Sequence, residues 1–187
     1  MIKTDDFKTL FVVFLIAITY TQCASFQPII PESRRTTTRT ERPATTPKPD
    51  ISKAKRAERA LRADVIRYAK KQLGVKYKYA GRSPKGFDCS GFTMYVLQQF
   101  DVNLPAGSYA QENRGSQLRI DEVTAGDLIF FRRQKGGRVF HVAMVVENDR
   151  DGIKVIHSTS RGVVIDNISK SKYWKPKIST ARDVITP

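Results

Sequence analysis

The sequence predicts an α+β domain, and three observations carry that prediction. Two stretches with helical apolar spacing come first, at residues 52–73 and from Cys89 onward. Short apolar runs separated by Gly-containing turns fill the second half, the pattern of hairpin-linked strands. Helices followed by strands give helices packed on an antiparallel sheet.

At 187 residues the chain fits one domain plus extensions, and 40% hydrophobic with 10% aromatic residues is enough for a core. The formal net charge of +15, from 33 Lys+Arg against 18 Asp+Glu, implies an acidic partner or surface. No zinc-ligand spacing, phosphate loop or dinucleotide glycine motif occurs, so neither a metal, a cofactor nor a specific nucleic acid is expected.

Residues 1–25 read as a signal peptide. Lys3 and Lys8 precede the apolar run Leu10–Ile18, which is too short to span a bilayer comfortably. Cys23 follows that run, as in the lipobox of bacterial lipoproteins, although Tyr20 and Gln22 stand where aliphatic and small residues are usual. The alternatives are cleavage without lipidation and a retained anchor. Residues 26–51 form a Pro/Thr/Arg-rich linker, with Thr36-Thr37-Thr38, Pro43, Pro47 and Pro49, that cannot build a core. The domain proper is expected over residues 52–187.

Within it, Ser52 is a candidate cap for a helix ending before Gly74, with Leu61, Val65, Ile66, Ala69 and Leu73 as its apolar stripe and its basic residues on a solvated face. Lys76–Ala80 alternates. A helix begins near Cys89 with Phe92, Tyr95, Val96 and Phe100 on one side. Ser108 is expected to cap a short turn running through Arg114. Strands are predicted at Leu128–Phe131, His141–Val146, Ile153–His157, Gly162–Ile165 and Asp183–Ile185, with hairpins at Gly136-Gly137, Asp151-Gly152 and Arg161-Gly162.

The chemistry centres on Gly86-Phe87-Asp88-Cys89-Ser90-Gly91-Phe92. A cysteine at a helix N-terminus faces unpaired N–H groups and the positive end of the dipole, which favour thiolate. The plainer reading of a cysteine is a small buried hydrophobe. The chain has two cysteines and two histidines. His141 opens one predicted strand and His157 closes the next, and such ends lie close in an antiparallel pair. Thiol, imidazole and an orienting polar group are the parts of a nucleophilic peptidase.

Several stretches, in order, resemble the NlpC-type cell-wall cysteine peptidases: Tyr77–Gly81, Phe87–Phe92, Leu104-Pro105, Gly126–Phe131, His141–Ala143 and Ile156–Ser158. Together they cover about residues 62–170. The resemblance implies a papain-like fold, with Cys89 as nucleophile, His141 as base and His157 as the orienting third residue. It implies substrate binding by Tyr77, Asp88 and Ser90. Ala80 stands where a glycine is usual, which matters only if the backbone there needs positive φ. Tyr79 replaces a common tryptophan.

The chain is similar, within that family, to single-domain Spr-type murein endopeptidase lipoproteins. This likeness implies a monomeric enzyme acting on peptidoglycan stem peptides or cross-links at diaminopimelate, held to the outer membrane by a lipid anchor in the periplasm. The competing expectation is a non-catalytic basic adapter that binds murein or lipid.

Overall fold

The computed structural model describes residues 51–186. The expected signal peptide, Cys23 and all of the linker but its last residue lie outside the described residues.

Helix α1 spans Ile51–Lys70 and buries Val65, Ile66 and Ala69 of the expected stripe; Leu61 is partly buried, and Leu73, expected in the helix, lies beyond its end and is exposed. Ser52, expected as the cap, lies inside this helix, and Ile51, assigned to the linker, is already helical. Turns carry the chain from Lys71 to Gly74. A two-stranded hairpin follows, β1 (Arg82–Ser83) and β2 (Gly86–Phe87), and then α2 (Cys89–Gln98) and α3 (Ser108–Gln111).

The remaining strands are β3 (Ser116–Leu118), β4 (Leu128–Arg132), β5 (Val139–Asp149), β6 (Gly152–Thr159), β7 (Gly162–Asn167) and β8 (Ile178–Asp183). They form one antiparallel sheet in the order β3-β8-β4-β5-β6-β7. The expected α+β class is therefore observed.

Further placements differ from expectation. Ser108, expected as a cap, is the first residue of α3, whose N-cap is Gly107, and that helix ends at Gln111 rather than Arg114. The last strand is Ile178–Asp183, not Asp183–Ile185. Its residues show no apolar alternation because only Ala181 and Asp183 are buried, and pairing on both edges with β3 and β4 holds it in place. Val184 and Ile185, apolar enough to suggest a strand, pack against the core after the strand has ended. The polar edge strand β3 was not foreseen, for the same reason.

The sheet is covered on both faces. Toward α1 and α2, Val65, Ile66, Phe92, Val96 and Leu97 pack with Leu128, Phe130, Val142, Met144 and Ile156. On the other face Ile129, Phe131, Ala143, Val145, Val155, Ile168, Trp174 and Ala181 form a second cluster. This explains the unbroken run Leu128-Ile129-Phe130-Phe131: its odd and even members serve different cores. Each fully buried side chain of this size contributes roughly 1.5–3 kcal/mol.

Arg62 departs from the solvated face expected of the basic residues on α1. It is buried and donates to Asp127 Oδ1 at 2.7 Å and Asp183 Oδ2 at 2.7 Å. One guanidinium thus clamps α1 to the turn before β4 and to the end of β8. Burial pushes the Asp127 carboxyl up despite this partner.

Candidate active site

Helix α2 begins at Cys89 because Asp88 is its cap. Asp88 is extended, and its Oδ1 accepts from Gly91 N–H at 2.6 Å and Ser90 Oγ–H at 2.9 Å. The Ser90 carbonyl is held by Thr93 Oγ1 and by Nε2 of the fully buried Gln111, each at 3.0 Å. Gly91 lets this helix end sit on the preceding loop. A Cβ there would lie 2.0 Å from the carbonyl oxygen of Gly81.

Cys89 is half-buried with a free thiol. Burial pushes that thiol up, Asp88 adds to the push, and hydrogen bonds from the backbone of Val142, Ser90 and Cys89 itself oppose it without prevailing. This corrects the expectation that the helix end alone favours thiolate. The dipole and N–H groups act as expected, but loss of water outweighs them.

The histidines stand on neighbouring strands in a diagonal arrangement. His157 on β6 is opposite Val164 on β7, and Asp166 is the next same-face residue along β7. Extending the Met144–Ile156 register by one step sets His157 opposite Ala143 on β5, two residues from His141. Each step is a diagonal neighbour. His141 Nε2 lies 3.0 Å from His157 Nδ1, and His157 Nε2 lies 3.0 Å from Asp166 Oδ2.

Trp174 covers both rings. Its indole stacks on His141 at 4.7 Å between ring centres, lies 5.0 Å from His157, and donates Nε1–H to Asp166 Oδ2 at 3.3 Å. Burial, with the neighbouring His157, pulls the His141 imidazolium down to about 3, against the opposing charge of Asp166. Burial also lowers His157. Burial pushes the Asp166 carboxyl up, but His157 and Arg161 outweigh it and hold the group below its ordinary value.

Cys89, His141 and Tyr77 line one open cleft of about 670 Å³, with Arg133, Arg161 and Trp174. Tyr77 is brought there by backbone pairing with Phe87, the residue two before Cys89. Asp88 and Ser90, expected to bind substrate, do not line this cleft. Their side chains bond to each other and to the helix start. His157 lies behind His141, wholly buried.

Two neighbours of the site escaped the sequence reading. Asp166 was within reach of it, since the tight Arg161-Gly162 hairpin sets the register that aligns it with His157. Trp174 belongs to no predicted element, and nothing local marks it.

The residues holding this cleft all fall inside one stretch that matches a known family. The model of the NlpC/P60 family matches residues 74–183, more than half of the chain. The chain belongs to the NlpC/P60 family. That stretch runs from the turn after α1 to the end of β8, so the family's part of the chain includes the whole sheet.

Among curated relatives, the chain is 36% identical over 141 residues to the gamma-DL-glutamyl hydrolase of Bacillus subtilis (strain 168), covering 73% of this chain and 33% of that protein. It is 36% identical over 115 residues to the murein DD-endopeptidase MepS/murein LD-carboxypeptidase of Escherichia coli (strain K12), covering 60% of this chain and 57% of that protein. The chain therefore spans about a third of the first relative and just over half of the second. The crystal structure of an NlpC/P60 family protein from Bacillus cereus superposes with a TM-score of 0.60 at 34% identity, over 66% of this chain and 40% of that one.

Proposed function

We propose that this chain is a cysteine-type peptidoglycan endopeptidase that cuts a peptide bond at diaminopimelate in stem peptides or cross-links. One observation carries the reading. Cys89, at the capped start of a helix, and His141 face the same cleft, and His157 engages the Nε2 of His141. That leaves Nδ1 of His141 as the nitrogen for the thiol.

Cys89 Sγ attacks the scissile carbonyl while its proton passes to His141 Nδ1. Because burial disfavours both the free thiolate and the imidazolium, the resting pair is neutral and the proton moves as the bond forms. Backbone N–H groups at the start of α2, including that of Cys89, receive the developing oxyanion. His141 then protonates the departing amine, and water deprotonated by His141 releases the acyl enzyme. His157 orients His141, and Tyr77 contacts the substrate from the cleft wall. Arg133 and Arg161 suit a substrate rich in free carboxylates.

Two bonds at diaminopimelate are compatible with the proposal, the D-Ala–diaminopimelate cross-link and the γ-D-Glu–diaminopimelate bond within one stem. Digestion of purified murein by the full chain, with fragments identified by mass, distinguishes them. Cys89→Ala is expected to release no fragments. Full digestion by that variant overturns the assignment. The adapter reading predicts murein binding without fragments from the unaltered chain. The complete Cys–His–His set favours the enzyme.

The envelope location belongs to the same proposal: residues 1–25 a signal peptide, 26–51 a tether, 52–187 the peptidase domain, with Cys23 lipidated and the monomeric protein anchored to the outer membrane in the periplasm. Ala24 rather than Asp after the cysteine supports the outer membrane. Cys23→Ala is expected to move the protein into the soluble periplasmic fraction. Unchanged fractionation with no acylated N-terminal peptide refutes the anchor.

A further inference from the structure

A single oxygen, Oδ2 of Asp166, sits at the end of the chain of rings. It contacts His157 Nε2 at 3.0 Å, Trp174 Nε1 at 3.3 Å and Arg161 Nη2. Indole and guanidinium nitrogens only donate, so this oxygen accepts, and against the push of burial His157 and Arg161 hold the carboxyl below its ordinary value, in the ionised form. His157 Nε2 facing it must therefore carry a proton.

A neutral imidazole carries one proton, so His157 Nδ1 is then a bare acceptor. It receives Nε2–H of His141, and Nδ1 of His141 is left bare in turn. The opposite assignment would place a proton on Nδ1 of His141 and deprive the thiol of its base. The proton positions of two buried rings thus follow from one carboxylate beyond them.

We infer that Asp166 is a positioning residue, whose carboxylate sets the tautomer of His157 and through it makes Nδ1 of His141 the base that faces Cys89. The inference rests on the peptidase reading above and deepens it.

The surroundings of Asp166 fit the role. Arg161, from the β6–β7 turn, pairs with the same oxygen and tempers its charge toward His157. Trp174, anchored on that oxygen, roofs both imidazoles, and its cover keeps His157 neutral, as the tautomer argument requires. Arg133, Tyr77, Tyr173 and Cys89 are the other charged or titratable groups around this cleft besides the histidines. When His141 takes the thiol proton, its positive charge lies against His157 Nδ1 and, one ring further, the Asp166 carboxylate.

The full chain contains two histidines, so a long-range ¹H–¹⁵N spectrum of its imidazoles resolves both rings. The unaltered protein is expected to show Nε2–H on both. Asp166→Ala should give mixed tautomers. Its murein turnover should fall on the order of tenfold to hundredfold, a part of the roughly 10²–10⁴-fold that a general base contributes. The rate of Cys89 alkylation in a Cys23→Ala background should fall with it.

Asp166→Asn keeps an acceptor oxygen before Arg161 and Trp174, so it should keep the tautomers and an intermediate turnover. Asp166→Leu keeps the γ-branched shape, with larger methyl groups in place of the oxygens and no acceptor, and repeats the alanine test should that variant not fold. Unchanged tautomers in the alanine or leucine variant, or altered tautomers with normal turnover and alkylation, overturn the inference. An unaltered chain that releases no murein fragments refutes the peptidase reading instead, while the spectra and the alkylation rates still decide what Asp166 does.

Discussion

Ser158 Oγ donates a 2.7 Å hydrogen bond to the carbonyl oxygen of Phe87. This contact ties the strand residue after His157 to the β2 residue that lies two before Cys89. It joins the parts of the chain that supply the histidines and the thiol. Ser158→Ala is expected to cost about 1 kcal/mol of stability, because Phe87 O retains a second donor in Lys78 N–H at 3.0 Å. Turnover should fall more than stability suggests, on the order of tenfold, since small displacements between nucleophile and base are amplified in rate. Melting temperature and turnover measured on one preparation test this. A lowered melting temperature with normal turnover would show that the site geometry does not depend on the contact.

The pH dependence of thiol alkylation reports on Cys89 directly. Burial pushes this thiol above its ordinary value of 9.0. In a Cys23→Ala background, iodoacetamide labelling should therefore rise with a midpoint above that value. A midpoint near neutrality would mean that the helix N-terminus outweighs desolvation and that the resting enzyme holds a thiolate.

Acid should destabilise the domain through its histidines. The folded-state value of His141 is lowered from 6.5 to about 3, and His157 is also lowered. Below pH 6.5 the unfolded chain binds more protons than the folded one, so stability is full above that pH and is lost as pH falls toward about 3. The melting temperature should drop between pH 7 and 5, where carboxylates contribute little. His141→Gln removes one titrating group and should flatten that slope. An equal slope in the variant would locate the acid sensitivity elsewhere.

The loop before the cysteine helix predicts opposite outcomes for two small substitutions. Ala80 has φ 52°, the left-handed region that costs a non-glycine residue about 1 kcal/mol. Ala80→Gly should recover about that much, partly offset by the entropy of a freer unfolded chain. Gly91→Ala would push a methyl group against the Gly81 carbonyl. The overpacking should cost roughly 1–3 kcal/mol. Equilibrium unfolding in urea measures both. Destabilisation by Ala80→Gly, or a neutral Gly91→Ala, would contradict this packing.

The parts of the site legible in the sequence were those with a local signature. The helical spacing of Phe92, Tyr95, Val96 and Phe100 announced a helix start near Cys89, and that is where α2 begins. Alternation gave His141 and His157 their strands and their proximity. The departure at Ala80 was visible as well, and the condition attached to it, positive φ, is met. The depth of His157, expected only as the residue that orients His141, had no local sign. Its ring is wholly buried, so replacing it will disturb stability as well as turnover.

Sequence alone determined the order of elements, the helix that carries the cysteine and the strands that carry the histidines. Those follow from periodicity, capping and turn chemistry, which act over a few residues. Tertiary structure decided the rest. The second core beneath Trp174 and the clamp made by Arg62 both depend on distant residues meeting. The same is true of the thiol. A helix N-terminus favours its ionised form locally, but the depth at which the cleft buries it, a property of the whole fold, sets the balance the other way.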